Sequence, residues 1–211
     1  MTVAWPATPE PPNPLEPRLG ILAPGTVLQR IHSNQFRSNQ FNPGPRGVGR
    51  VHFFGDPMVP VLYLAETREA ALAETLLHDV PIRAPATLPR SIYANSVLAG
   101  LKLKRQLRIA EFFGLGLRAL GIEATQLTDT PMENYPQTRK WAHAAHTAGF
   151  DGIGWMSKRD NSARAYMLFG DKVQEDFLEV LPESGLAFAA AEGFSWLVIT
   201  CAPLKVDVLA R

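Results

Sequence analysis

The sequence predicts an α+β domain, in which short strands and a few amphipathic helices share one core. Several short runs rich in β-branched and aromatic residues are separated by glycines and charged residues, a pattern typical of antiparallel strands. Two longer segments, residues 67–79 and 135–148, instead place their apolar residues at helical spacing. The chain has 211 residues, a length typical of one domain, and contains no internal repeat.

The composition argues against several functional classes. Hydrophobic residues make up 46% of the chain, which is ordinary for a globular protein with a real core. The net charge of +1 gives no electrostatic footprint for nucleic acid, and no run of about 18 apolar residues indicates a membrane span. No secretory signal is recognisable at the N-terminus. The single cysteine, Cys201, cannot form an internal disulfide and fits a core position. We therefore expect a cytoplasmic protein.

The first part of the chain divides at about residue 17. Residues 1–17 are rich in proline, which predicts an extended or disordered N-terminal extension before a single domain at residues 18–211. The first strand is expected at residues 26–32. Arg30 lies within this otherwise apolar strand, so it either faces solvent or reaches into a pocket.

A long loop at residues 33–49 follows the first strand. Loops of this length tend to be functional or disordered, and Gly44, Gly47 and Gly49 allow the backbone to approach a ligand closely. Residues 50–54 then resemble a second strand, which would place Arg50, His52 and Phe54 on one face. A face carrying a cation and an imidazole is unusual for a core and indicates a site or solvent.

The segment from Val59 to Asp79 is predicted to begin as a strand and to end as a helix. Thr67 is a suitable N-cap for the helix, and Pro81 follows its expected end near Asp79. Glu74 falls at the edge of an apolar stripe built largely from small residues. A glutamate in that place either pairs with an arginine, faces solvent beside the stripe, or belongs to a site.

The second half of the chain continues the mixed pattern. Short strands are expected within residues 87–111, followed by a short helix that ends at Gly121. The helix at residues 135–148 carries His143 and His146, but no further ligand completes a set, so we expect no metal site.

Two more strands are expected near the C-terminus, at residues 150–157 and 165–169. The tail at residues 176–211 alternates apolar runs with proline and glycine. This pattern leaves open whether the tail forms a sheet edge or a partner-binding surface.

Three groups of residues, taken in order, resemble the RES family, which is named for an arginine, a glutamate and a serine. The matching segments are residues 28–30, then 47–50, 61–65 and 70–74, then 149–157 and 166–171. The resemblance covers roughly residues 26–175. It implies a fold of the ADP-ribosyltransferase type, with two antiparallel β-sheets that cross at a steep angle, flanking helices, and a cleft for NAD+.

The resemblance also implies roles for individual residues. Arg30 and Arg50 would hold the phosphates or ribose of NAD+, and Tyr63 would border the nicotinamide. Glu74 would be the catalytic carboxylate, and Ser157 would orient the nicotinamide ribose. Arg30 and Ser157 would thus serve both binding and catalysis.

One position departs from the family pattern. Many members follow the glycine-arginine pair with an aromatic residue and an asparagine, whereas Val51, His52 and Phe53 follow Arg50 here. His52 is therefore a candidate catalytic residue that is peculiar to this subgroup.

The implied chemistry suits these residue types. Breaking the nicotinamide–ribose bond develops oxocarbenium character at the sugar carbon, as glycoside hydrolysis does, and a carboxylate stabilises that charge. The planar guanidinium fork of arginine suits a pyrophosphate.

The resemblance implies a toxin of a bacterial type II toxin–antitoxin pair that cleaves NAD+ and is inhibited by an antitoxin with an Xre-like helical domain. ADP-ribose would pass to water, phosphate or a protein. Two alternatives stay open: a mono-ADP-ribosyltransferase that modifies a specific host protein, and a non-catalytic module that only binds its partner.

Overall fold

The computed structural model describes residues 5–44, 49–83 and 85–211. The strands are β1 (Leu19–Leu22), β2 (Val27–Ser33), β3 (Val61–Ala65), β4 (Ala86–Leu88), β5 (Ser96–Leu103), β6 (Leu107–Glu111), β7 (Gly152–Met156), β8 (Arg164–Phe169), β9 (Leu178–Ala187) and β10 (Val206–Val208). The α-helices are α1 (Arg68–Thr75), α2 (Arg90–Tyr93), α3 (Leu115–Ala119), α4 (Ala124–Leu127), α5 (Tyr135–Thr147) and α6 (Ala191–Cys201).

One eight-stranded sheet dominates the fold, with strand order β1-β6-β7-β8-β3-β2-β5-β9. All neighbouring strands in it are antiparallel except β6 and β7, which are parallel. The connection between β2 and β3 is weak, because only Gln29 and Ala65 are registered partners there. The sheet is thereby divided into a β1-β6-β7-β8-β3 half and a β2-β5-β9 half. Strands β4 and β10 form a separate parallel pair.

The sheet curls so that its two halves share a buried core. Leu62 of β3 and Leu168 of β8 belong to the same apolar cluster as Leu28 of β2 and Leu101 of β5. A second cluster packs α5 against β7 and β8, and a third packs α1 and α6 around Leu98. The alternation of side chains along each strand explains this layering, since successive residues point to opposite faces.

The α+β class is confirmed, with a curled sheet and flanking helices. The strand pairing differs from the expected two antiparallel sheets, because the ladder is continuous through eight strands and includes the parallel β6–β7 pair. Parallel pairing arises there because the long connection between β6 and β7 carries α3, α4 and α5. The steep crossing of two sheets and the kinship with ADP-ribosyltransferases stay predictions.

Helix α1 starts as predicted and ends earlier than predicted. Thr67 is the N-cap, and its hydroxyl accepts a hydrogen bond of 3.0 Å from the Ala70 amide. The helix ends at Thr75 rather than near Asp79, because the Leu77 amide bonds to the Leu72 carbonyl and thereby leaves the i−4 ladder. This turn buries the side chains of Leu76 and Leu77.

The predicted strand at residues 50–54 is wrong, since these residues form bends and coil. Strand β3 already pairs with β8 and meets β2, so no sheet edge remains beside it. Val51 is instead buried, and Phe53 and Phe54 pack against the same cluster. In the preceding loop, Gly47 lies outside the described residues.

The N-terminal segment packs along the helical side of the domain. The Trp141 Nε1 atom donates a hydrogen bond of 2.8 Å to the Pro9 carbonyl, and the Thr8 hydroxyl donates to the Gln126 carbonyl. Leu15 is buried in the core. The division into an extension at residues 1–17 and a domain at residues 18–211 stays a prediction.

The C-terminal tail contains an edge strand and a helix. Strand β9 is the last strand of the sheet, and α6 follows it and buries Cys201 in the core. Burial raises the pKa of the Cys201 thiol to about 11, which suits a core position rather than a nucleophile. Within the described ranges, no helix is both long and apolar enough to cross a membrane.

Candidate active site

A cavity of about 360 Å³ lies where the two halves of the sheet meet α1 and α5. Its wall contains five of the residues singled out from the sequence, namely Arg30, Arg50, His52, Tyr63 and Glu74. Ser157 lies behind this wall, with 1% of its surface exposed. The structure therefore brings all six residues to one place.

Helix α1 carries Glu74 to the cavity. Ala70, Ala71 and Ala73 are buried, so the small side chains allow the helix to pack closely against the sheet. The Ser157 hydroxyl donates a hydrogen bond of 2.6 Å to Oε1 of Glu74 and accepts one of 3.0 Å from the Asp160 amide. One carboxylate oxygen is therefore held in place, and Oε2 has no partner within the described part of the chain.

Tyr63 and His52 form a hydrogen-bonded pair in the cavity wall. The Nδ1 atom of His52 lies 2.5 Å from the Tyr63 hydroxyl oxygen. Burial, and then the charge of Arg139, lower the pKa of His52 to about 4, so its imidazole is neutral at pH 7. Burial raises the pKa of Tyr63 well above its ordinary value, so the phenol keeps its proton.

Arg50 follows the loop glycine Gly49 and is anchored through its backbone. Its carbonyl accepts a hydrogen bond from the Thr138 hydroxyl, and its guanidinium lies over the Tyr135 ring at 5.7 Å from the centroid. Its Nε atom is buried and has no hydrogen-bond partner in the described residues. A buried donor of this kind is costly unless a ligand or water satisfies it.

Arg30 is engaged mainly with the loop that precedes Arg50. Its Nη1 atom donates hydrogen bonds of 2.5 Å to the Ser38 carbonyl and 2.8 Å to the Gln40 carbonyl. Burial lowers the pKa of Arg30 to about 10, which leaves it charged at pH 7. Arg30 thus lines the cavity and also holds the loop that forms part of its rim.

The charges around the cavity are unbalanced. Among the ion pairs of the described residues, none involves Arg30, Arg50 or Glu74. Two guanidinium groups and one carboxylate therefore face or border the same space. This arrangement favours an anionic ligand that also carries a group to which a carboxylate can bind.

Sequence reasoning missed several cavity residues. Trp155 lines the cavity, and its Nε1 atom is buried without a partner among the described residues, as is Oε1 of Gln29. Trp155 could have been predicted from the sequence. It lies on β7, two residues before Ser157, and residues two apart in extended backbone point to the same side. Tyr135 had no such signal, since it reaches the cavity from the start of α5.

The two helix histidines contact other side chains. The Nε2 atom of His146 lies 2.7 Å from a carboxylate oxygen of Asp171, and the ring of His143 stacks on Phe54. No group of three or more potential metal ligands occurs within residues 5–44, 49–83 and 85–211.

Comparison with known proteins relates the chain to one family and to one solved fold. No curated protein matches the sequence. The fold is similar to that of a chain in the crystal structure of the M. tuberculosis MbcT–MbcA toxin–antitoxin complex, with a TM-score of 0.54 and 12% sequence identity, over 79% of this chain and 86% of that one. The RES domain model matches residues 27–196, which include every candidate site residue. The chain therefore belongs to the RES domain family.

Proposed function

We propose that this protein is the toxin of a type II toxin–antitoxin pair and that it binds NAD+ and cleaves the nicotinamide–ribose bond. The observation that carries the proposal is the convergence of Glu74, Arg50 and Tyr63 on one cavity, with Ser157 fixing one oxygen of Glu74. RES family membership and the fold shared with a chain of a toxin–antitoxin complex support it.

The carboxylate of Glu74 would stabilise the positive charge that develops on the ribose. Nicotinamide leaves as a neutral base, so the bond can break without a general acid. Because Ser157 occupies Oε1, the second oxygen of Glu74 is left to accept a hydrogen bond from a ribose hydroxyl or from the incoming nucleophile. Preorganisation by Ser157 means that the carboxylate does not need to reorient during the reaction.

The remaining cavity residues would bind the substrate. Arg50 would bind the pyrophosphate, since its guanidinium has no acidic partner among the described residues and its Nε donor is unused. The aromatic rings of Tyr63 and Trp155, at 6.0 Å between centroids, would border the nicotinamide. A volume of about 360 Å³ fits the nicotinamide riboside end, with the adenosine end extending outside.

The weakly joined strands β2 and β3 support an ADP-ribosyltransferase-like cleft. The single registered pair between them separates the sheet into halves, and the cavity lies at this separation.

A partner with an Xre-like helical domain would act as the antitoxin. The neighbouring fold comes from a toxin–antitoxin complex, which supports an antitoxin as the partner, while the Xre-like domain is what the family resemblance implies. We propose that the protein acts in the cytoplasm, where NAD+ would be available as its substrate.

Glu74→Gln is the decisive variant, because it removes the charge and keeps the shape. The purified protein is incubated with NAD+ alone, and nicotinamide release is followed for wild type, Glu74→Gln and the control Glu69→Gln. Glu69 lies on the same helix, is exposed, and is outside the cavity wall. Glu74→Gln should lose about 100-fold or more in rate, while the control keeps wild-type activity.

The same assay identifies the acceptor of ADP-ribose. Release of nicotinamide without added protein identifies water or phosphate as the acceptor, whereas label from NAD+ that appears only on a protein identifies a transferase. Wild-type protein that consumes no NAD+ under either condition would contradict the enzymatic proposal. So would toxicity on expression that survives Glu74→Gln undiminished.

A further inference from the structure

The imidazole of His52 is held on three sides although it lies in coil. A Cβ atom added to Gly49 would lie 2.1 Å from Cε1 and 2.5 Å from Nδ1 of His52, so the ring rests directly on the Gly49 backbone. The Phe53 ring lies 4.4 Å away and the Tyr63 ring 5.3 Å away, measured between centroids. Gly49 is therefore required for this position of His52.

His52 is the hydrogen-bond partner of Tyr63. Within the described residues, the Tyr63 hydroxyl has one hydrogen bond, to Nδ1 of His52. The Tyr63 ring also packs in a T-shaped arrangement with the Trp155 ring, at 6.0 Å between centroids. The hydroxyl is a proton donor at neutral pH, so the imidazole proton is assigned to Nε2 and Nδ1 is the acceptor.

This arrangement is poorly suited to proton transfer by His52. Burial and the nearby Arg139 weaken the imidazole as a base, since its pKa falls to about 4, and the Nδ1 lone pair is occupied by Tyr63. The ring is suited instead to fix the orientation of the tyrosine. A buried hydroxyl with one acceptor holds a ring more firmly than apolar packing alone.

We propose that His52 is a positioning residue, whose Nδ1 atom fixes the Tyr63 ring against the ligand in the cavity. This assignment rests on the proposed function, because Tyr63 must border a bound nicotinamide for its orientation to matter. It replaces the expectation of His52 as a catalytic residue: the imidazole acts through Tyr63 and takes no part in bond cleavage.

The test compares two substitutions whose side-chain amides take the places of different nitrogen atoms of the imidazole. His52→Asn places an amide oxygen near the position of Nδ1, whereas His52→Gln places its amide near Nε2. We expect His52→Ala and Tyr63→Phe each to raise KM for NAD+ by about 5-fold, with a smaller change in kcat, since a hydrogen bond contributes about 1 kcal/mol. His52→Asn should recover most of the loss, and His52→Gln should not.

A double substitution separates a shared bond from two independent roles. The His52→Ala/Tyr63→Phe protein should be no worse than either single variant, because all three lack the same hydrogen bond. Gly49→Ala should behave like His52→Ala, because it displaces the imidazole. His143→Asn, an exposed histidine on α5, is the matched control and should leave KM unchanged.

Several results would overturn the assignment. Additive losses in the double variant would show that His52 and Tyr63 act independently. Recovery by His52→Gln in place of His52→Asn would show that the Nε2 position matters and not the Nδ1 bond to Tyr63. Active wild-type protein with fully active His52→Ala overturns this inference alone. Wild-type protein that neither binds nor cleaves NAD+ overturns the proposed function and this inference with it.

Discussion

Ser157→Ala tests the contact that fixes Glu74, and the structure gives its expected cost. The substitution removes one hydroxyl, which is 1% exposed, donates to Oε1 of Glu74 at 2.6 Å and accepts from the Asp160 amide at 3.0 Å. A hydrogen bond to a charged group contributes about 1.5–3 kcal/mol, and the Asp160 amide also loses its acceptor. We expect a loss of about 2–3 kcal/mol in the free energy of unfolding.

Urea denaturation followed by tryptophan fluorescence measures this loss. For a chain of this length, the expected change corresponds to a fall of about 4–12 °C in Tm. Ser162→Ala is the matched control, since Ser162 lies in the same loop, is exposed, and donates to the Asp160 side chain. The control should stay within about 0.5 kcal/mol of wild type.

A double-mutant cycle with Glu74→Ala attributes the loss to the Ser157–Glu74 contact. The two substitutions should couple by about 1–2 kcal/mol, because each removes the same hydrogen bond. Ser157→Ala should also reduce the rate of nicotinamide release, since the carboxylate then samples other orientations. A Ser157→Ala protein as stable as the Ser162→Ala control, or a cycle without coupling, would refute the role given to this serine.

Two further predictions concern Arg30 and the buried histidines. Arg30→Met should leave the Ser38 and Gln40 carbonyls without their hydrogen-bond donor, which should loosen the loop that contains them. Trypsin should therefore cleave the exposed bond after Arg37 several-fold faster than it does in the control Arg83→Met. Equal cleavage of the two variants would contradict the anchoring role of Arg30. His52 has a folded pKa of about 4, below its unfolded value of about 6.5, and burial also lowers the pKa of His32. The folded state therefore binds fewer protons, so stability should be complete above pH 6.5 and should fall as pH drops towards 4, with His52 accounting for about 1 kcal/mol after solvent screening. Urea titrations should show a shallower pH dependence for His52→Asn, and an unchanged one would contradict the pKa shift.

The parts of the fold that sequence predicted best are those with strong local signals. Helix α5 has an apolar face and ends next to Gly149, whose φ of +87° suits a residue after a helix. Thr67 capped α1 as expected, because a threonine before a helix satisfies a free backbone amide. These features depend on a few neighbouring residues and can therefore be predicted without the tertiary structure.

The parts that failed depend on distant neighbours. Residues 50–54 alternate like a strand, but β3 is already paired on one side and meets β2 on the other, which no local pattern reveals. The effect of Arg139 on the pKa of His52 was missed for the same reason, because Arg139 lies on α5, far from His52 in the sequence. The anchoring of the loop by Arg30 likewise depends on carbonyls whose positions are set by folding.

The single registered pair between β2 and β3 has a consequence for recognition. Beyond this pair, residues of both strands, such as Ile31 and Leu64, line the cavity instead of continuing as registered partners. Because β2 and β3 lie inside the strand order, a polar small molecule in the cavity would reach their backbone at a place that is not an outer edge of the sheet. We therefore expect the interruption to serve ligand recognition without creating an outer edge that promotes aggregation.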